Sequence, residues 1–121
     1  MGIQYTLKID GDILFVTASG SDESPSDVEE YTSALLKICL ENGVRRALCD
    51  ETAVTTSLNT LDTYEIGMFL SKTIPTWLKI AIVFDPDTSF DLRFFESLVV
   101  NRGQQIKIFA DTGSAMTWLL D

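Results

Sequence analysis

The chain has 121 residues, of which 45% are hydrophobic and only three are proline, a composition that folds rather than stays disordered. Nine basic against eighteen acidic residues leave a net charge of -9, a field that repels a duplex phosphate backbone and disfavours nucleic-acid binding. There is no histidine, so neither a Ser-His-Asp or Cys-His catalytic site nor a zinc site with imidazole ligands can be built.

In chain order, Ile3, Tyr5, Leu7 and Ile9 alternate with Gln4, Thr6, Lys8 and Asp10, the period of a strand with one wet face. Asp10-Gly11-Asp12 signals a tight turn, and Ile13 to Ser19 resumes the strand pattern, giving a hairpin. Ser24-Pro25-Ser26-Asp27 opens a helix, with Ser24 as N-cap, Pro25 at the first helical position and Asp27 as an acidic variant of the capping box. Val28, Tyr31, Leu35 and Ile38 line one face of it, and Gly43 supplies a left-handed end.

Arg45 to Asp50 reads as a short buried strand. Asn59 or Thr60 caps a second helix, which turns Leu61, Met68 and Phe69 inward and stops before Pro75. Leu78 to Phe84 is apolar from Ile80 onward, as a strand covered on both faces would be. A third helix begins at Thr88 or Ser89, Ile106 to Phe109 forms a strand, and Thr112 to Leu120 a closing helix. The order β-β-α-β-α-β-α-β-α, without a linker, implies one α/β domain over 1–121 with a mixed sheet and right-handed crossovers.

Glu41 to Asp50 and Asn101 to Asp111 repeat one pattern: helix end, Asn, Gly, basic residue, strand, Asp. Asn101, Arg102 and Gly103 are therefore read as a structural joint, the glycine taking a positive φ and the arginine lying beside the helix's partial negative end. Asp50 and Glu51, Asp85 and Asp87, and Asp111 all follow strands and so share the carboxyl edge, where open α/β sheets bind ligands. Three carboxylates there could hold Mg²⁺ as in phosphoacceptor domains. They are read instead as charges at helix N-termini, because helix-dipole complementarity also sends Lys37, Arg45, Arg46, Lys72, Lys79 and Arg102 to the opposite edge, which a metal site would not need.

No glycine-rich phosphate loop, Cys-x-x-Cys or serine elbow is present, and Cys39 and Cys49 sit in apolar runs as buried free thiols. No cofactor is implied. No apolar run approaches the roughly 18 residues of a membrane helix. The hydroxyl-rich stretch from Glu51 to Thr60 is read as the longest connection, feeding a helix N-terminus that favours phosphate.

With this element order, the chain resembles the SpoIIAA-like domains, the fold shared by STAS and Sec14-type modules. The stretch from Phe94 to Leu120, "FFESLVVNRGQQIKIFADTGSAMTWLL", is similar to small uncharacterised bacterial members of that group. The resemblance covers essentially the whole chain and implies a right-handed β/α superhelix acting in the cytoplasm as a non-enzymatic regulatory or protein-interaction module with a protein partner. In STAS anti-sigma antagonists the switch serine lies in an Asp-Ser-x-Gly at the start of the equivalent helix. Here the region reads Ser57-Leu58-Asn59-Thr60-Leu61-Asp62-Thr63, without the Asp-Ser pair or its glycine. Asp50, Glu51, Ser57 and Thr60 are thus the candidate partner or switch loop. The alternatives are a carrier of a small apolar or acyl ligand, as the Sec14 branch implies, and a Mg²⁺-dependent phosphoacceptor. A homodimer is expected as well, because the first strand leaves an edge and crossovers of one hand would leave one face of the Leu78–Phe84 strand uncovered.

Overall fold

The structure, a computed structural model, describes residues 2–85, 92–100 and 103–121, with only the backbone of 92, 93, 99 and 100. Five strands form one sheet in the order β1 (Ile3–Asp10), β2 (Ile13–Asp22), β3 (Arg46–Thr56), β4 (Lys79–Val83) and β5 (Gln105–Phe109). The first pair is antiparallel and the other three are parallel. The helices are α1 (Pro25–Asn42), α2 (Thr60–Thr73), α3 (Leu92–Val100) and α4 (Thr112–Leu120).

The main core lies between the sheet and the first three helices. It joins Leu14, Val16, Ala47, Cys49 and Ile106 of the strands to Tyr31, Leu35, Ile66, Leu70 and Phe95 of α1, α2 and α3. Three parallel crossovers that advance one way across the sheet and share one face have one hand, as the right-handed rule requires. A smaller core on the opposite face joins Ile13, Leu48, Ala81 and Val83 to Ala115 and Leu119 of α4. This corrects the expectation that a second copy covers that face: the closing helix folds back over β3 and β4 and buries it within one chain.

Three local expectations are also corrected. β2 and β3 both run beyond their expected ends and stay paired to Asp22 and Thr56, so Glu51 to Thr56 is strand and only residues 57–59 connect β3 to α2. Hence Glu51 to Thr60 is not a long loop. Within β3 the pairing slips between Thr17–Asp50 and Ser19–Ala53, an extra residue that makes a β-bulge. Asp50 Oδ1 holds this bulge by accepting from the Thr52 amide at 3.1 Å and its hydroxyl at 2.7 Å. On α2 the inward row is Thr63, Ile66, Gly67 and Leu70, with Met68 and Phe69 half-buried. Leu61 lies two residues before Thr63, about 200° round the helix, and is 76% exposed rather than inward.

The helix ends follow the expected chemistry with one exception. Asn59 Oδ1 accepts from the Asp62 amide at 2.8 Å while Asp62 Oδ2 accepts from the Asn59 amide at 3.2 Å, a complete capping box. Gly43 closes α1 at φ 65°, and Val44 N–H donates to Cys39 O at 2.9 Å. Ser24 occupies the N-cap position of α1 ahead of Pro25, but its hydroxyl meets Ser26 Oγ, and Asp27 reaches past it to accept from the Glu23 amide. The expected start of α3 at Thr88 or Ser89, and Asn101 and Arg102 of the joint, lie outside the described residues. Gly103 has φ 88°, the positive value expected of it.

The two edge strands differ. At β5 the Ile108 amide is met by Glu96 of α3 at 2.7 Å, which blunts that edge. At β1 the apolar row Tyr5, Leu7 and Ile9 stands in register with the buried Ala18, Val16 and Leu14, yet is itself 36–43% exposed. Its contact with α1 is at Tyr5, whose ring meets Tyr31 edge-on with centroids 5.5 Å apart. Both faces of β1 are therefore accessible, not one.

Candidate functional site

Alternation along β3 sends Asp50 and Glu51 to opposite faces. Asp50 is spent on the bulge, whereas Glu51 enters the space beneath α1. There its Oε2 accepts from the Tyr31 hydroxyl at 3.0 Å. The bulge resets the alternation so that Val54, like Glu51, faces the main core. On the adjacent β2, the row Leu14, Val16, Ala18 places Asp22 inward as well, and only 6% of it is exposed.

Asp22, Tyr31, Cys49 and Glu51 thus form the polar end of a cavity of about 80 Å³ whose remaining wall is apolar apart from Thr32 of α1. Its walls include Leu35 of α1, Leu70 of α2 and Ile82 of β4. Although Glu51 keeps some accessible surface, burial pushes its carboxyl up to about 8, with Tyr31's hydrogen bond opposing and the charges of Asp22 and Asp50 adding. Burial also raises Asp22, against a hydrogen bond from Thr56, and its Oδ1 has no hydrogen-bond partner among the described residues. The Tyr31 hydroxyl and the Cys49 and Cys39 thiols are likewise shifted up, chiefly by burial. The thiols are inert, shielded groups rather than nucleophiles.

The other predicted site residues lie elsewhere. Ser57 and Thr60 are exposed at the start of α2, outside the cavity, so the four candidates do not make one loop. Beside them on the first turn of α2, Leu61 is 76% and Tyr64 45% exposed. Of the carboxyl-edge acids, Asp111 caps α4, accepting from the Ser114 amide at 2.7 Å, which holds its carboxyl below the usual range. Asp87 lies outside the described residues. Among the described residues no group of three or more cysteines and carboxylates is arranged to hold a metal.

At the opposite sheet edge the bases do collect. Arg45, Arg46 and Lys79 border a groove of about 270 Å³ with Asp12, Trp77, Gln105 and Asp121. Arg46 pairs with Asp12 at 3.1 Å, Arg45 lies 5.3 Å over the Trp77 ring, and Lys79 donates to the Trp118 carbonyl at 2.6 Å. Its cations are occupied in closing the ends of the chain's own elements.

Sequence reasoning placed Tyr31 in the core and did not single out Asp22. The signal was present in the unbroken alternation Leu14, Val16, Ala18, Gly20, Asp22, which aims an acid at the core face.

This architecture is a SpoIIAA-like fold. Among solved structures, the chain is similar to an uncharacterised DUF3478-family protein with a SpoIIAA-like fold from Shewanella loihica PV-4. The two share 24% identity at a TM-score of 0.54, covering 98% of this chain and 93% of that one. It is also similar to an anti-sigma factor antagonist from Mycobacterium paratuberculosis, at 12% identity and a TM-score of 0.65, covering 99% and 96%. Neither models of protein families nor curated proteins give a match.

Proposed function

We propose that the chain is a non-enzymatic regulatory module that binds a protein partner through the first turn of α2. The observation that carries this reading is the exposure of Leu61 and Tyr64 beside Ser57 and Thr60. Two large side chains one helical turn apart, beside hydroxyls, leave 76% of Leu61 and 45% of Tyr64 uncovered by their own chain, and such a patch suits a partner's surface. The regulatory sense is drawn from the anti-sigma factor antagonist that shares the fold. The hydroxyls fit a charge switch: phosphate at Ser57 or Thr60 would meet the helix's positive end, so the fold would tolerate it while the surface changed sign.

Self-association through β1 belongs to the same reading. Among the described residues the strand's outer edge has no neighbour in the sheet, and antiparallel pairing centred on Leu7 would set Tyr5 of each copy opposite Ile9 of the other. Two free, buried cysteines suit a reducing compartment, so we place the protein in the cytoplasm.

The test is recovery of bound proteins from the cells of origin with wild type, Leu61→Asp, Tyr64→Ala and Thr60→Asp, alongside Arg45→Ala at the far edge. The three α2 variants should lose a partner that wild type and Arg45→Ala retain, with melting temperatures within a few degrees, as exposed changes allow. A partner lost only with Arg45→Ala would place the interaction surface elsewhere.

A further inference from the structure

We infer that the cavity beneath α1 is a binding site for a small aliphatic amine, its ammonium held by Asp22 and Glu51 and its alkyl chain among Leu35, Leu70 and Ile82. This is independent of the α2 surface, which lies outside the cavity.

Size sets the first limit. A cavity of about 80 Å³ is roughly half the 150 Å³ of an apolar cavity that admits benzene, so the ligand has only a few non-hydrogen atoms. Its body must be largely apolar, because so is the wall apart from Asp22, Tyr31, Cys49 and Glu51 at one end and the Thr32 hydroxyl of α1. Charge decides the rest. Asp22 lines the cavity, is 6% exposed, and carries an oxygen with no hydrogen-bond partner among the described residues. A buried carboxylate oxygen without a donor is rare in native proteins, and it calls for one.

Among the described residues lining the cavity there is no lysine or arginine. The Tyr31 hydroxyl is committed to Glu51. A water could donate to Asp22 but would leave its charge uncompensated. An ammonium supplies three donors and the missing charge together. The acyl carboxylate anticipated from the fold resemblance carries the wrong sign for a site with two acids and no base. An alcohol would satisfy the hydrogen bond alone. Because burial raises both carboxyls, seating a cation there displaces protons, and binding strengthens as pH rises toward the Glu51 titration.

The test uses n-butylammonium, n-butanol and butyrate as probes, with calorimetry in two buffers of different ionisation enthalpy and amide shifts mapped by NMR. Titration to about 50 mM covers the weak affinity that so few atoms can reach. Butylammonium should bind saturably and most tightly of the three, release protons and shift the amides of Asp22 and Cys49. Asp22→Asn should weaken it at least about tenfold, the scale of a lost buried charge partner, while leaving butanol unchanged. Glu51→Gln, which keeps an acceptor for Tyr31, provides a second variant should Asp22→Asn not fold. Butyrate or butanol binding as tightly as the amine, an amine affinity unmoved by either variant, or saturation by none of the probes would each overturn the assignment.

Discussion

The Tyr31 hydroxyl donates to Glu51 Oε2 at 3.0 Å, joining the middle of α1 to β3 across the apolar cavity. The bond couples the main core to the protonation of one carboxyl. Glu51 titrates at about 8 in the folded chain against 4.5 ordinarily, so the folded state holds its proton more tightly. The stability this contributes is complete below pH 4.5 and is lost as pH rises through about 8. Allowing for partial exposure, the loss is on the order of 3 kcal/mol. Glu51→Gln keeps the acceptor and cannot ionise. Urea melts should find it within about 1 kcal/mol of wild type at pH 5 and more stable than wild type at pH 9. Asp22 is raised as well, chiefly by burial, so its own contribution has the same sign. A wild-type stability that rises from pH 5 to 9 would contradict this.

The two helix starts should respond differently to alanine. Asn59→Ala breaks the capping box of α2 and should cost about 1 kcal/mol. Ser24→Ala should change stability by only a few tenths of a kcal/mol, because that hydroxyl caps no backbone amide. Chemical denaturation of the two variants side by side is the check; equal losses would mean that Ser24 caps α1 in solution.

Two glycines are required for different reasons. At Gly67 an added Cβ would stand 2.7 Å from Leu98 Cδ1 and 2.9 Å from its Cβ, so the glycine sets the approach of α2 to α3. Gly67→Ala should cost about 2 kcal/mol as the helices are forced apart. At Gly103 the nearest atom is Thr76 Cγ2 at 3.9 Å, and the penalty comes from φ 88° alone. About 1 kcal/mol is expected there. Melts that rank Gly103→Ala as the worse variant would show that the α2–α3 contact relaxes freely.

Sedimentation at about 100 μM, well above the dissociation constant of a stable dimer, tests association through β1. Wild type should sediment as a dimer and Leu7→Lys as a folded monomer whose melting temperature falls only by the stabilisation that association supplied. A wild-type monomer at that concentration would remove the β1 interface.

The order of strands and helices, the left-handed ends at Gly43 and Gly103, and the Asn59 cap were legible along the chain. Each depends on a residue and its neighbours within a turn or two: a hydrophobic period, a missing β-carbon, a side chain that reaches its own backbone. The extension of β3 was partly legible too, since Thr-Ala-Val-Thr-Thr is a strand-forming run, but its hydroxyls resemble those of a loop. The bulge at Glu51–Thr52 was not legible, because it exists only as a mismatch between two paired strands. What α4 covers depended on the path of the chain after β5, which local pattern does not contain. The same holds for the site. Alternation alone aims Asp22 and Glu51 inward, but their meeting with Tyr31 around one cavity is a product of packing. Sequence distance says nothing of it, and their raised carboxyls follow from the desolvation that this packing imposes.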